Sequence, residues 1–86
     1  MTETPEYRIK RLKMRSWRRG TKEMDMILGP YSDTEITALS SASLELYEAL
    51  LNENDQDLYV WISRQMTPPA EHVEIIEVIQ HFHKIA

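Results

Sequence analysis

Apolar residues recur at intervals of three and four along the first third of the chain, and this spacing predicts helices. The first predicted helix begins behind a Thr4 cap and runs to about Arg18, with a thin apolar stripe inside a basic coat. Gly20 marks a joint, because glycine both ends helices and lets another backbone come close. A second helix is predicted from Gly20 to about Gly29, where the Gly29-Pro30 pair should end it.

The middle of the chain continues the helical spacing. Residues 32–35 read Ser-Asp-Thr-Glu, which is the order of a capping box, so a short helical turn through Leu39 is predicted. A longer helix is predicted over about residues 41–52, where leucines and a tyrosine line one side. A fourth helix should follow a cap at Asn54 or Asp55.

The C-terminal part contains one interruption and one long amphipathic segment. Thr67-Pro68-Pro69 should break the chain, since the residue before a proline is pushed out of helical geometry. The last helix is predicted from about Ala70 to Ile85. No segment shows sustained strand-type alternation. We therefore predict an all-α fold, a compact bundle of about five short helices that forms one domain over residues 1–86.

Composition excludes several classes of protein. The 86 residues are 42% hydrophobic and 28% charged, which is ordinary for a globular chain. The chain contains no cysteine, so disulfides, thiolate metal sites and cysteine nucleophiles are excluded. No apolar run approaches the roughly 20 residues that a membrane-spanning helix needs.

The residues that could carry chemistry are few. His81 and His83 are two apart, so on a helix they point about 200° apart and cannot chelate one ion. We expect His72 and His81 to face solvent and His83 to pack at the edge of the core. With two glycines the chain has neither a nucleophile elbow nor a phosphate-binding loop. Neither an enzyme nor a metal site is expected.

Charge is distributed very unevenly along the chain. Residues 1–22 hold eight of the ten basic residues and two acids, a net +6, whereas residues 23–86 carry −10. Three interpretations of the basic stretch, with Trp17 inside it, remain open. It could bind nucleic acid, although the acidic remainder would repel phosphates. It could balance that remainder within the same fold, or it could bind a protein, since Arg and Trp are enriched at interface hot spots.

The sequence Arg19-Gly20-Thr21-Lys22-Glu23 is the most distinctive local unit. On a helix Arg19 and Glu23 would share one face, but basic before acidic is the poorer order for a stabilising pair. We therefore expect both charged groups to point outward to a partner, with Gly20 leaving room for the partner's backbone. Burial of both charges against their own chain would remove the basis of this interpretation.

Four sequence blocks occur in an order that resembles a known family. They are Arg18 to Asp25 (RRGTKEMD), Ile27 to Tyr31 (ILGPY), Tyr47 to Leu51 (YEALL) and Asp55 to Ile62 (DQDLYVWI). Together they closely resemble the succinate dehydrogenase flavinylation factors, called succinate dehydrogenase assembly factor 2 in mitochondria. The resemblance covers about residues 8 to 82. It differs from many relatives at Thr21, where they carry an apolar residue.

The resemblance implies a five-helix assembly factor that is not itself an enzyme. Such a factor binds the flavoprotein subunit of succinate dehydrogenase, and in some bacteria fumarate reductase, and promotes covalent attachment of FAD to that client. It implies no stably bound cofactor on the factor, because FAD is attached to the client. The family's R-G-x-x-E motif lies at the client contact. The partner-binding residues predicted from motif and basic stretch are Arg15, Trp17, Arg18, Arg19, Gly20, Glu23 and Asp25.

The remaining expectations concern state and location. We expect a monomer, with a dimer through the basic face as the alternative, and no insertion into a membrane. We expect the bacterial cytoplasm in preference to the mitochondrial matrix, because the predicted domain begins almost at residue 1.

Overall fold

The computed structural model describes residues 3–85, which form five α-helices joined by short connections. In chain order the elements are α1 (Pro5–Trp17), α2 (Lys22–Glu35), a 3₁₀ turn (Ile36–Ala38), α3 (Ser41–Leu51), α4 (Asp55–Ile62) and α5 (Ala70–Phe82). No strand occurs within residues 3–85. The prediction of an all-α bundle of about five helices is confirmed.

Side-chain caps begin four of the five helices. Thr4, Thr21, Ser40 and Asn54 each accept a hydrogen bond from a backbone N–H in the first turn of the helix that follows. Each cap satisfies one of the donors that a helix start leaves without an intrahelical partner. The predicted caps at Thr4 and Asn54 are confirmed. Pro69 precedes α5 and provides no side-chain cap.

The predicted end of the second helix is wrong. Helix α2 passes through Gly29 and Pro30 and continues to Glu35. Proline removes one backbone donor from the ladder. The continuation nevertheless buries Tyr31 completely, with its ring centroid 5.5 Å from those of Tyr47 and Phe82. Burying an aromatic ring of this size offsets the lost hydrogen bond.

The capping box predicted at residues 32–35 is wrong for the same reason. These residues form the last turn of α2, and Ser32 Oγ donates to Gly29 O over 2.8 Å instead of capping a new helix. The short turn that we predicted through Leu39 is the 3₁₀ turn Ile36–Ala38, and Leu39 follows it. Local sequence order alone does not distinguish a capping box from the end of a longer helix.

The core is continuous and lies where all five helices meet. A polar contact inside it joins α1 to α3, because Ser16 Oγ lies 2.6 Å from Tyr47 Oη. Burial raises the pKa of Tyr47 well above its usual range, against the opposing effect of that hydrogen bond. The fully buried large side chains are Leu12, Met24, Leu28, Tyr31, Ile36, Tyr47, Leu50, Leu58, Ile62, Ile75, Ile76 and Ile79.

The histidines differ from one another, and one expectation about them is wrong. His72 is buried and not solvent-facing: its ring lies 5.6 Å from that of Trp61, and its Nε2 lies 3.5 Å from Glu53 Oε2. His81 is exposed, as expected. His83 follows the end of α5 and donates from Nε2 to Ile27 O at 2.6 Å, which agrees with its predicted place at the core edge.

Two kinds of feature are absent from the described part of the chain. Residues 3–85 contain no group of three or more acidic, histidine or cysteine side chains that could hold a metal ion. Across the same residues, no helix combines the length and the apolar character needed to span a membrane.

Candidate functional site

The distinctive motif lies in the connection between α1 and α2. Helix α1 ends at Trp17, and Arg18 follows with a non-helical backbone whose N–H still donates to Arg15 O. Thr21 caps α2, so residues 18–21 alone separate the two helices. Arg19 and Gly20 therefore lie in a short linker, and Glu23 lies in the first turn of α2. Because Arg19 precedes α2, the two charged residues do not share a helix face.

Arg19 turns toward its own chain. Its Nε donates to Asp55 Oδ1 at 2.8 Å, its Nη1 to Leu51 O at 2.8 Å and its Nη2 to Glu53 O at 2.7 Å. The side chain is only 11% exposed. The expectation of an outward-pointing guanidinium is thus wrong, because the connection between α3 and α4 offers three acceptors that match its planar fork.

Gly20 leaves room for the carboxylate of Asp55. The Gly20 N–H donates to Asp55 Oδ2, while the other oxygen of the same carboxylate accepts from Arg19. A Cβ on Gly20 would lie 2.7 Å from Asp55 Oδ2, too close for two non-bonded atoms. Gly20 has an ordinary negative φ, so the close approach explains the glycine and positive φ does not.

Asp25 holds the same linker from the opposite side. Its Oδ1 accepts a 2.6 Å hydrogen bond from the Arg19 N–H, and its side chain is half-buried. As an acidic residue in the first turn of α2, it also interacts favourably with the helix dipole. Asp25 therefore positions the linker.

We call Arg19, Gly20, Asp25 and Asp55 the arginine clasp. The clasp joins the linker to the start of α2, the start of α4 and the last carbonyls of α3. Arg15 reinforces it, since its Nη2 donates to Leu51 O at 3.2 Å and to Asn52 Oδ1 at 3.0 Å. Two guanidinium groups thus meet the C-terminal end of α3, where positive charge is favourable.

Three of the predicted site residues remain on the surface beside the clasp. Glu23 and Arg18 are exposed, and within residues 3–85 neither side chain makes an ion pair or a hydrogen bond. Trp17 is 39% exposed; its Nε1 donates to Asp33 Oδ2 at 3.0 Å and its indole covers Gly29. The predicted site residues are therefore divided between an inner group that shapes the linker and an outer group that is free to contact a partner.

A surface groove begins at Glu23, and we call it the Glu23 groove. It has a volume of about 600 Å³ and its walls are mostly apolar. Gln56, Tyr59 and Val60 were not among the partner-binding residues predicted from the sequence. A signal was present: with Leu58, Trp61 and Ile62 on the buried face of α4, Gln56 and Tyr59 must lie on the other side. The lining residues are Thr21, Glu23, Asp55, Gln56, Tyr59 and Val60.

The basic coat of α1 is partly neutralised within the fold. Arg8 and Arg11 both bind Glu48, at 2.9 and 2.7 Å, and Arg11 also binds Glu3 at 2.7 Å. Burial acts to raise the pKa of Glu48, but hydrogen bonds from Arg11 and Arg8 outweigh it and hold that pKa below its ordinary value. These pairs support the interpretation in which basic residues balance the acidic remainder, and they weaken the nucleic-acid interpretation.

A second groove, of about 420 Å³, follows the solvent side of α1. Its aromatic and apolar side chains, Tyr7 and Met14, are both exposed, so Met14, a member of the predicted apolar stripe of this helix, does not enter the core. The lining residues are Tyr7, Lys10, Arg11, Met14, Arg15, Arg18 and Arg19.

Comparisons with known proteins place this geometry in context. A family model described as "Flavinator of succinate dehydrogenase" matches residues 10–83, which include the linker and all four residues of the arginine clasp. The chain is 34% identical over 64 residues to the FAD assembly factor SdhE of Legionella pneumophila (strain Lens), an alignment that covers 74% of this chain and 81% of that protein.

Mitochondrial proteins are similar as well. The chain is 31% identical over 86 residues to succinate dehydrogenase assembly factor 2, mitochondrial, of Meyerozyma guilliermondii, covering 98% of this chain. A protein of the same name from Dictyostelium discoideum is 33% identical over 73 residues. The alignments span 64% and 52% of the length of these two relatives. Bacterial and mitochondrial proteins thus both resemble the chain, and its own location stays a prediction.

Proposed function

The chain belongs to the family described as the flavinator of succinate dehydrogenase, whose members are named as assembly factors and not as enzymes, and on this basis we propose that it binds the flavoprotein subunit of succinate dehydrogenase and promotes covalent attachment of FAD to that subunit. Fumarate reductase is the second client that we propose. The resemblance of the R-G-x-x-E motif supports this choice of partner.

One observation carries the proposed binding surface: Glu23 is an exposed carboxylate that lines a groove and makes no hydrogen bond or ion pair within residues 3–85, and the partly buried arginine clasp holds the linker just before it. Holding the backbone next to Glu23 in place before binding reduces the entropy that association costs. We place Glu23, Arg18 and Trp17 at the contact with the client. Arg19, Gly20 and Asp25 act through them by fixing the linker, and Arg15 braces the end of α3.

The proposed mechanism is conformational. A bond between the flavin and a client side chain requires the two reactants to be aligned, and the client holds both. A factor that binds the aligned conformation more tightly than the others raises its population, to an extent limited by its differential affinity. In this proposal FAD stays with the client throughout. Both surface grooves are open, whereas cofactor sites bury most of their ligand, which supports that view.

The direct test replaces the exposed carboxylate. Glu23→Gln removes the charge and keeps the shape, so client affinity should fall by about tenfold, which corresponds to about 1.4 kcal/mol. Affinity is measured by calorimetry with the purified flavoprotein subunit. Covalent flavin is measured by its fluorescence in a denaturing gel after co-expression, and it should fall as well.

Glu45→Gln is the matched control, because Glu45 is an exposed glutamate on α3 away from the linker. It should bind and flavinylate the client as the unsubstituted chain does. Wild-type affinity in a folded Glu23→Gln variant would show that the proposed contact surface is incorrect.

A further inference from the structure

The ionisable side chains that line the Glu23 groove are all acidic. Its lining contains two ionisable carboxylates, Glu23 and Asp55, and no basic residue. Asp55 is already compensated, since one oxygen accepts from Arg19 and the other from the Gly20 N–H. Glu23 is exposed and has no such partner in the described residues. The groove therefore has one uncompensated negative charge at its edge.

The remaining lining favours a long side chain with an apolar stem. Tyr59 exposes 42% of its surface, and Val60 is half-buried beside it. Gln56 is exposed at the same groove and offers an amide that can bind a peptide backbone. The volume of about 600 Å³ is large enough for a side chain together with the chain segment that carries it.

We propose that the Glu23 groove receives an arginine side chain of the flavoprotein client, with its guanidinium paired to the Glu23 carboxylate and its stem and planar group against Tyr59. This inference rests on the proposed function. Arginine fits because its planar fork binds a carboxylate through two hydrogen bonds and also stacks on an aromatic face. A client carboxylate or phosphate would be repelled by Glu23, and an apolar segment would leave that carboxylate desolvated without a partner.

The first experiment is a double-mutant cycle measured by calorimetry with the purified flavoprotein subunit. Glu23→Gln should weaken binding about tenfold and Tyr59→Ala about fivefold. The double variant should lose less than the product of the two, because both groups act on one client side chain. Tyr59→Phe keeps the ring and should bind as the unsubstituted chain does. Tyr7→Ala, in the other groove, should combine with Glu23→Gln multiplicatively.

The second experiment identifies the client residue. The client is treated with phenylglyoxal, which modifies arginine, in the presence and absence of the factor, and the products are mapped by mass spectrometry. The unsubstituted chain should protect one client arginine that Glu23→Gln and Tyr59→Ala leave reactive. Multiplicative losses in the Glu23 and Tyr59 cycle, or no client arginine whose protection depends on Glu23, would overturn the inference and leave the proposed function intact.

Two further outcomes separate the alternatives. If the unsubstituted chain does not bind the flavoprotein subunit, the proposed function fails and this inference fails with it. If the chain self-associates in gel filtration, and Glu23→Gln abolishes that association without changing client affinity, the groove binds an arginine of a second copy and the inference is overturned.

Discussion

Removing the Arg19 side chain is the sharpest test of the arginine clasp. Arg19→Ala deletes three hydrogen bonds at once and leaves Asp55, at 14% exposure, without its charged partner. The Glu53 carbonyl loses the Arg19 donor in the same step, whereas Leu51 O keeps its hydrogen bond from Arg15. The linker between α1 and α2 would keep three backbone N–H bonds, from Arg18 to Arg15 O, from Arg19 to Asp25 Oδ1 and from Gly20 to Asp55 Oδ2.

The magnitude follows from the geometry. A hydrogen bond to a charged group contributes about 1.5–3 kcal/mol, and breaking a buried ion pair costs about 3–5 kcal/mol. Water can bind some of the acceptors that Arg19→Ala leaves without a donor, so we expect a loss of about 2–4 kcal/mol in the free energy of unfolding. A chain of this length has a total of about 4–13 kcal/mol. Arg19→Lys keeps the charge but not the fork, and should cost about half as much.

The assay is urea unfolding followed by circular dichroism. With a slope of about 1 kcal/mol per molar urea, the transition midpoint of Arg19→Ala should fall by about 2 M or more. Arg18→Ala is the matched control, because the side chain of this neighbouring arginine is exposed and makes no hydrogen bond within residues 3–85, so its effect should stay within about 0.5 kcal/mol. Equal midpoints for Arg19→Ala and Arg18→Ala would refute the clasp.

Two further predictions concern other parts of the fold. Gly29→Ala places a Cβ closer to the Trp17 indole than van der Waals contact allows, so it should displace that ring. Tryptophan fluorescence should shift to longer wavelength, and the free energy of unfolding should fall by about 1–3 kcal/mol. An unchanged spectrum would contradict the contact. Because the folded-state pKa of Glu48 lies below its ordinary value of 4.5, its carboxylate stabilises the fold above that pH, and the contribution is lost as the pH falls through the folded value. Glu48→Gln should lower the free energy of unfolding at neutral pH and make it depend less on pH below about 4.5. A loss of stability with falling pH as steep as that of the unsubstituted chain would contradict this.

The sequence predicted the helices well wherever local chemistry decides the structure. The caps at Thr4 and Asn54 depend on neighbours within three residues, and so does the break before α5. The end of α2 was missed because it is decided at a distance. Gly29 lies under Trp17, twelve positions earlier in the chain, and Tyr31 is buried against α3 and α5. Helical spacing contains no information on such contacts.

The candidate site, like the fold, was predicted in part and depends in part on contacts between residues far apart in the sequence. The motif and its resemblance to a known family pointed to the right stretch of chain, but they could not tell which charge faces outward. The three acceptors of Arg19 lie 32 to 36 residues away, in a connection whose backbone carbonyls no side-chain pattern reveals. Within residues 3–85 the Glu23 side chain makes no hydrogen bond or ion pair and is exposed, which agrees with the expectation for that residue alone.

This division changes how substitutions in the motif must be interpreted. A valine at Gly20 would meet Asp55 Oδ2 before it could meet any client, so a loss of covalent flavin in that variant would report a distorted linker as readily as a lost contact. Glu23→Gln leaves every clasp hydrogen bond in place, and its effect on flavinylation therefore measures the contact itself. A variant that loses flavinylation in parallel with its urea midpoint acts through the clasp, whereas one that loses flavinylation at full stability acts at the interface. Stability and client affinity must accordingly be measured together, and on this criterion Glu23 is the one residue of the Arg-Gly-x-x-Glu motif whose loss should affect affinity alone.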